Sequence, residues 1–149
     1  MEPKVRATAL LVEDGEMLIV EQQVSRCLAR EWSLPGGTVQ RGETLQECLL
    51  REVKEETSLE VEVERLLYVC DRIEPDVHVV HITFAVRRAG GELRVGAEPE
   101  ATAYPIHSVR MVALEDLCDY GFDSTFRDLA KAGFPEGGTY RGRVSSIGL

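Results

Sequence analysis

The chain has 149 residues, of which 44% are hydrophobic and 29% are charged, and this composition fits one globular domain with a sizeable core. Its formal net charge of −9 and its pI near 4.9 argue against a basic surface that binds a nucleic acid polymer. These values do not exclude a phosphorylated substrate, because a bound metal ion can reverse the local field of an acidic site. An acidic protein that acts on phosphates therefore needs cations.

The beginning of the chain, MEPKVRATALLV, lacks the charged, apolar and small-residue sections of a signal peptide. No stretch approaches the roughly 20 apolar residues of a membrane span, so we expect no membrane partner. The cysteines are scattered and include no CxxC pair: Cys27, Cys48, Cys70 and Cys118. This distribution is typical of reduced, non-catalytic thiols in a cytoplasmic protein.

The first part of the chain predicts an antiparallel hairpin that leads into a glycine loop. Val5–Val12 is an apolar run typical of a buried strand, and Asp14-Gly15 predicts a tight turn toward a partner strand at Met17–Val20. The segment WSLPGG at residues 32–37 contains a proline and two glycines that should turn the chain sharply. Its tryptophan, Trp32, either packs in the core or lines a pocket.

One helix is well specified. Thr44 followed three residues later by Glu47 is a capping-box signature, so the helix should begin near Thr44 and run to about Thr57. At helical spacing, four apolar residues share the side that should face the core: Leu45, Cys48, Leu49 and Val53.

Three carboxylates, Glu52, Glu55 and Glu56, continue along the edge of that apolar side. They crowd one patch, where like charges cost about 0.2–0.5 kcal/mol per pair. Arg51 is within reach of Glu55, whereas Glu52 and Glu56 have no cation three or four positions away. Two interpretations are open: a solvated acidic face, which is ordinary for a run of charges, and a divalent metal site, which the position beside the apolar stripe favours.

The rest of the chain predicts strands and loops, with two short helical pieces near the end. Predicted strands cover Leu59–Cys70, His78–Val86, Leu93–Val95 and Val109–Ala113, and predicted helices cover Leu114–Cys118 and Ser124–Ala132. A loop at Asp71–Asp76 contains Pro75, and residues 96–108 form a loop long enough to carry a site. Residues 133–149 are rich in glycine and serine, so we expect an extended tail after a domain at residues 1–132.

The stretch Gly37–Leu59 follows the pattern GX5EX7REUXEEXGU, where U is a bulky aliphatic residue, and thereby resembles the box of the Nudix family. The matching positions are Gly37, Glu43, Arg51, Glu52, Val53, Glu55, Glu56 and Leu59. One position departs, because Ser58 stands where the box has glycine, just after the helix, where a left-handed residue is often needed. Serine in that conformation costs up to about 1 kcal/mol but removes no ligand or base.

The resemblance implies an α/β fold, an α/β/α sandwich with a mixed central sheet, and hydrolysis of a nucleoside diphosphate linked to another group. It also implies a requirement for Mg²⁺ or Mn²⁺, hard cations that prefer oxygen ligands. By similarity to the family, Glu52 and Glu56 are the leading metal ligands, Glu55 is a further ligand or the base, and the Gly36 carbonyl completes the shell. Glu98 and Glu100 are additional candidates for a ligand or the base.

The resemblance further implies that Arg51 holds a glutamate rather than the substrate, and that Gly37 and Glu43 brace the loop. Pro75 lies at a distance after the box that resembles the ADP-ribose pyrophosphatase subgroup, so ADP-ribose or a nucleotide sugar is the favoured substrate. Trp32 and Pro75 are candidates for substrate contact. Nucleoside triphosphates are the second choice of substrate, and a non-catalytic nucleotide-sensing module is the alternative function.

The remaining expectations concern histidines and assembly. His78 and His81 are three apart in a predicted strand, so they should point to opposite faces, unlike a metal pair. We interpret these two and His107 as structural or surface residues. A homodimer is compatible with the family.

Overall fold

The computed structural model describes residues 2–23, 30–96 and 105–149. The strands are β1 (Lys4–Glu13), β2 (Glu16–Gln23), β3 (Arg30–Ser33), β4 (Gly36–Thr38), β5 (Glu60–Glu74), β6 (Val77–Gly90), β7 (Ile106–Ala113) and β8 (Thr139–Arg143). The α-helices are α1 (Leu45–Thr57) and α2 (Ser124–Lys131), and two short 3₁₀ helices cover Leu114–Tyr120 and Val144–Ile147.

The eight strands form one mixed sheet. Its main order is β3-β2-β1-β6-β5-β8, with β4 paired to β1 and β7 paired to β2. The β1–β6 and β5–β8 pairs are parallel, and the other pairs are antiparallel. Helix α1 packs on one face, while α2 and the first 3₁₀ helix pack on the other, which confirms the predicted α/β/α sandwich. No helix in the described ranges is long and apolar enough to cross a membrane.

Strand β1 divides the core because its side chains alternate between the two faces. Ala7, Ala9 and Leu11 are fully buried on the α1 side, in one cluster with Leu49 and Val53. On the opposite side, Leu10 belongs to a second cluster, whose other members include Met17, Ile19, Leu67, Phe126 and Phe134. The small alanine side chains let α1 approach the sheet closely, which brings the acidic end of the helix against β1 and β4.

The ends of α1 agree with the predictions. The Thr44 hydroxyl accepts a hydrogen bond from the Glu47 amide at 3.1 Å, and the Glu47 carboxylate accepts one from the Thr44 amide at 3.1 Å, which confirms the capping box. Ser58 ends the helix in the left-handed conformation with φ of 65°, and its amide donates to the Lys54 carbonyl at 3.0 Å. Serine therefore adopts the backbone conformation that glycine adopts more readily.

Two of the predicted elements between α1 and β7 are wrong. The predicted loop Asp71–Asp76 is mostly strand, because β5 continues to Glu74 in register with β6 and leaves only a turn at Pro75 and Asp76. The predicted strand Leu93–Val95 does not form.

The segment after β6 instead binds the end of α1. The Arg94 amide donates to the Thr57 carbonyl at 3.1 Å, and the Gly96 amide donates to the Glu56 carbonyl at 3.1 Å. The last carbonyls of a helix have no partner within the helix, and this segment supplies one to each of these two.

The last residues of the chain pack on the domain instead of extending as a free tail. Strand β8 pairs in parallel with β5, and Tyr68 and Thr139 are partners in that register. Phe134 and Ile147 are each only 1% exposed and belong to the core cluster around α2. Residues beyond 132 therefore contribute to the same core and sheet as the rest of the chain. The division into a domain at residues 1–132 and a tail at residues 133–149 stays a prediction.

Candidate active site

Arg51 of α1 forms an ion pair with Glu43, which lies in the loop before the helix. The Arg51 Nε lies 2.7 Å from Glu43 Oε2, and its Nη2 lies 2.9 Å from Glu43 Oε1, which is a bidentate pair. The hydrogen bond from Arg51 lowers the pKa of Glu43 to about 2. Glu43 also accepts from the Gln40 amide at 3.0 Å. Glu43 thus links the loop after β4 to α1, which is the arrangement that a bracing role requires.

Arg51 also contacts two of the three clustered carboxylates. Its Nη1 donates to Glu52 Oε1 at 2.8 Å and to Glu55 Oε2 at 3.4 Å. The expectation that Glu52 has no cation within the helix is therefore wrong. That expectation considered only positions three and four residues away, whereas the long Arg51 side chain folds back to its immediate neighbour.

Glu52 occupies space that a glycine leaves open. Burial raises the pKa of Glu52 above its ordinary value, while the hydrogen bond and charge of Arg51 and the charge of Arg6 oppose that rise. A Cβ atom built on Gly37 would overlap the carboxyl group of Glu52. The missing side chain of Gly37 therefore makes room for the Glu52 carboxylate in its present position.

Glu56 is the most buried of the three acids, with 7% of the residue exposed. Its Oε1 accepts a hydrogen bond from the Gly36 amide at 3.0 Å. Gly36 pairs with Thr8 of β1, and a Cβ on Gly36 would overlap the Ala7 carbonyl and the Thr8 backbone. The backbone of Gly36 thus lies between the acidic cluster and β1.

The donor atoms of this cluster fit a hard divalent cation. Carboxylate oxygens of Glu52, Glu55 and Glu56, together with the Gly36 carbonyl, are the ligand type that Mg²⁺ and Mn²⁺ prefer. As they stand, no three His, Cys, Asp or Glu side chains in the described part of the chain converge as a metal site does. Arg51 contacts one oxygen of each of two carboxylates, Glu52 Oε1 and Glu55 Oε2, so metal binding would use their other oxygens or require the two side chains to rotate.

Glu98 and Glu100, the other predicted candidates for a ligand or the base, lie outside the described residues. The described chain reaches that segment at Gly96, whose amide is bonded to the Glu56 carbonyl. A Cβ on Gly96 would overlap the Glu55 carbonyl, so the chain passes very close to the acidic end of α1 at this point.

A cavity of about 470 Å³ opens on the face of β1 opposite α1. Polar side chains from three neighbouring strands form its floor, and a mixture of aromatic, apolar and charged groups forms its rim. The floor consists of Arg6, Thr8, Tyr68, His81 and Thr83, and the rim includes Glu31, Trp32, Leu34, Arg72, Phe122 and Arg143. A cavity lined by aromatic and apolar side chains together with a few polar groups is typical of small-molecule sites.

Trp32 lines this cavity and also contacts the core cluster around α2, so both alternatives predicted for it apply. The guanidinium carbon of Arg110 lies 5.5 Å from the centre of its ring, and the Tyr120 ring stands edge-on to it at 5.4 Å. These two neighbours fix the orientation of the indole.

His81, which the sequence predicts to be structural or on the surface, lies half-buried on the cavity floor. Burial, followed by the charges of Arg6 and Arg72, lowers its pKa to about 4, so the imidazole is neutral at pH 7. The sequence interpretation missed both His81 and Arg6. The available signal was Arg6 itself, a cation within the predicted buried strand Val5–Val12.

The predicted substrate-contact residue Pro75 and the thiol of Cys48 both lie outside the cavity. Pro75 is exposed in the turn after β5 and does not line the cavity, although its neighbour Glu74 does. The Cys48 thiol is buried and donates to the Gly37 carbonyl at 3.5 Å, and burial raises its pKa to about 11. Cys48 is therefore a protonated packing residue, and Cys27 lies outside the described residues.

Comparison with known proteins gives consistent matches. A family model described as the NUDIX domain matches residues 2–131. The ADP-ribose pyrophosphatase of Methanocaldococcus jannaschii is 32% identical over 121 residues, which cover 77% of this chain and 69% of that protein. The 8-oxo-dGDP phosphatase of Homo sapiens is 40% identical over 91 residues, which cover 61% of this chain but only 27% of that protein. The crystal structure of a MutT NUDIX hydrolase from Burkholderia pseudomallei matches with a TM-score of 0.67 and 30% identity, over 77% of this chain and 86% of that chain.

Proposed function

This chain belongs to the Nudix family and is a Nudix pyrophosphohydrolase, and we propose that it cleaves the pyrophosphate bond of ADP-ribose or a nucleotide sugar with the help of Mg²⁺ or Mn²⁺. The observation that carries this proposal is the position of Gly36. Its amide binds the buried Glu56 carboxylate, and its strand partner is Thr8 on the cavity floor. A diphosphate at the acidic cluster can therefore extend its organic group into the cavity.

We assign different roles to the side chains of the acidic cluster. Glu52, Glu56 and the Gly36 carbonyl would hold the cation, which, when bound, supplies charge neutralisation and activation of a water molecule. Glu55 is the most solvent-accessible of the three acids, and among the described residues its one side-chain ion pair is the 3.4 Å contact to Arg51. It is therefore free to act as a further ligand or to accept the proton of the attacking water. Glu98 and Glu100 remain candidates for the same role.

Two observations support the preference for ADP-ribose or a nucleotide sugar. The M. jannaschii relative carries the name ADP-ribose pyrophosphatase, and it is 32% identical over most of this chain. The cavity also offers an indole, Trp32, whose orientation is fixed by Arg110 and Tyr120. A planar nucleobase can stack on such a ring, which is worth about 1–3 kcal/mol per base in nucleic acid complexes.

A second candidate substrate class is nucleoside di- or triphosphates, including those with an oxidised base. The human relative is named 8-oxo-dGDP phosphatase, and the B. pseudomallei structure is named MutT NUDIX hydrolase. Both substrate classes place a pyrophosphate bond at the same acidic cluster. They differ in the group that enters the cavity.

A substrate panel tests the proposal directly. Purified protein would be incubated with ADP-ribose, nucleotide sugars, dinucleoside polyphosphates, nucleoside triphosphates and 8-oxo-dGDP, with Mg²⁺, with Mn²⁺ and with EDTA, and products would be separated by ion-exchange chromatography. We expect metal-dependent release of a nucleoside monophosphate, fastest with ADP-ribose or a nucleotide sugar. Absence of turnover of every compound with either metal would refute the proposal.

The role of Glu56 is tested by Glu56→Gln, which removes the charge and keeps the shape. We expect kcat to fall by at least about 10²-fold, because the variant loses charge stabilisation at the reacting phosphate. Glu64→Gln on the exposed side of β5 is the matched control and should keep the wild-type rate. A wild-type rate in Glu56→Gln, with thermal unfolding unchanged in both variants, would show that Glu56 is not a ligand.

A further inference from the structure

We propose that Arg6 forms a phosphate-binding subsite on the cavity floor, which holds a phosphate group of the substrate through its guanidinium. The inference rests on the proposed function, because it assigns a residue to the substrate of the same site. Arg6 lies outside the Nudix box and comes from β1, on the side of the sheet opposite α1.

The first argument is that Arg6 has no ion-pair partner among the described residues. Its Nε is buried and makes no hydrogen bond within those residues, although the side chain as a whole is half-buried. A buried polar atom without a partner is costly, and a ligand in the cavity could satisfy it.

The second argument concerns the groups around Arg6. Its partner on β6 is His81, a neutral imidazole, and Arg72 on β5 lies near enough to His81 to lower its pKa. Arg72 is itself paired with Glu74 at 2.9 Å, about half exposed at the rim. Thr8 and Thr83 hydrogen-bond to each other on the floor. The strand neighbours of Arg6 on the floor, His81 and the two threonines, are thus neutral. The acidic groups of the cavity are Glu31, Asp71 and Glu74, of which Glu74 is paired with Arg72.

The third argument is the position of Arg6 beside β4, which contacts the acidic cluster. Arg6 and Thr38 of β4 are register partners, and the Thr38 carbonyl accepts from Arg51 Nη2 at 3.5 Å. A diphosphate bound at the acidic cluster would therefore lie near Arg6 before its organic group enters the cavity. A guanidinium matches a phosphate group with two parallel hydrogen bonds, a geometry that no other side chain offers. A ligand that carries a single carboxylate has no second anionic group to bind at the acidic cluster.

Equilibrium binding in EDTA tests this assignment, because no turnover occurs without metal if the proposed function is correct. The probes are two matched pairs, AMP with adenosine and ribose 5-phosphate with ribose. We expect the wild type to bind the phosphorylated member of at least one pair more tightly. Arg6→Met should raise the dissociation constant of that phosphorylated member by about 10-fold or more, and it should change the dissociation constant of the unphosphorylated partner by less than about 2-fold.

The matched control is Arg88→Met on β6, which removes an arginine paired with Glu13 far from the cavity. It should leave both pairs of probes unaffected. Thermal unfolding separates a ligand role from a structural role. Removal of a half-buried cation that has no ion pair among the described residues should leave the melting temperature of Arg6→Met unchanged or raise it, whereas loss of a structural arginine would lower it.

An NMR titration of His81 gives an independent readout. The charges that act on this imidazole are those of Arg6 from β1 and Arg72 from β5. Cys70 is its register partner on β5, and Asp71 lines the same cavity. An anion on Arg6 offsets the repulsion from that guanidinium, so the pKa of His81 should rise on addition of AMP. In Arg6→Met the pKa should already be higher and should no longer respond to AMP.

Three results would overturn the subsite: equal weakening of phosphorylated and unphosphorylated probes, unchanged affinities in Arg6→Met, or no preference for phosphate in the wild type. The substrate panel described above distinguishes this failure from failure of the proposed function. An active wild type whose Arg6→Met variant keeps its affinities refutes the subsite alone. A wild type that binds AMP through Arg6 without turnover of any compound refutes the proposed hydrolysis alone.

Discussion

On the α1 side of β1, each charged side chain of the acidic cluster has a partner, whereas on the cavity side Arg6 has none within the described residues. Glu43 and Arg51 share a bidentate pair, and Glu56 is bonded to the Gly36 amide. The first region is ordered by contacts within the chain, and we propose that a ligand completes the second. Substitutions on the α1 side should therefore disturb catalysis or the stability of the fold, whereas substitution of Arg6 should affect binding.

The largest effect is expected from Gly37→Ala, which disturbs the ordered side. The new Cβ would overlap the Glu52 carboxyl group, which must move. A displacement of about 1 Å in a catalytic group can cost about 10²-fold in rate, and we expect a loss of at least that size in kcat. Gly90→Ala is the control, because its Cβ would meet only the end of the exposed Glu60 side chain. Equal activity of Gly37→Ala and wild type would mean that Glu52 does not need its present position.

An intermediate effect is expected from Glu43→Gln, which breaks the bidentate pair with Arg51. Hydrogen bonds between charged groups contribute about 1.5–3 kcal/mol, and the free energy of unfolding at pH 7 should fall by an amount in this range. Chemical denaturation measures this change. Glu47→Gln is a useful comparison, since a glutamine can still complete the capping box.

The Glu43→Gln variant should also change how the free energy of unfolding depends on pH. The pKa of Glu43 in the folded protein is about 2, below its ordinary value of 4.5, so its stabilising effect is complete above pH 4.5 and is lost as the pH falls toward 2. The unfolding free energy of Glu43→Gln should therefore depend less on pH between these values than that of the wild type. Parallel pH profiles in this window would contradict the assigned ion pair.

The smallest effect is expected from Ser58→Gly at the end of α1. Ser58 has φ of 65°, and glycine adopts this conformation without steric cost, so stability should rise by about 0.5–1 kcal/mol. Ser58→Ala keeps a Cβ at the same position and should show no such gain. If glycine and alanine gave the same stability, the left-handed conformation of Ser58 would not be a source of strain. Neither variant should change the affinity for a ligand in the cavity.

The ordered side was accessible from the sequence because its signals are local. Thr44 and Glu47 specify the start of α1, and the box residues from Gly37 to Leu59 have fixed spacings within one continuous stretch. The pair of Arg51 with Glu52 was missed, since helical spacing rules do not describe how a long side chain folds back. Ser58 adopts the left-handed conformation that is often needed at this position, although a serine there left the geometry of the helix end open in the sequence.

The cavity side could not be predicted, because it is assembled from distant parts of the chain. Thr8 and Thr83 are bonded to each other across 75 positions, and His81 joins Arg6 only through the parallel pairing of β1 with β6. Two apolar strands give no sign in the sequence of which strand each will pair with. The short segment TYRGR of β8 has no apolar alternation, so its pairing with β5 was equally hidden.

The pairing of β8 has a consequence for the dynamics of the domain. Arg143 is the last residue of this strand, Val144 and Ser145 follow it, and all three form part of the cavity wall. A ligand that contacts this wall would bind the packed form of the segment in preference to a locally opened form, so occupancy and local opening would be coupled equilibria. Protection of the end of the chain from solvent should therefore increase as ligand fills the cavity.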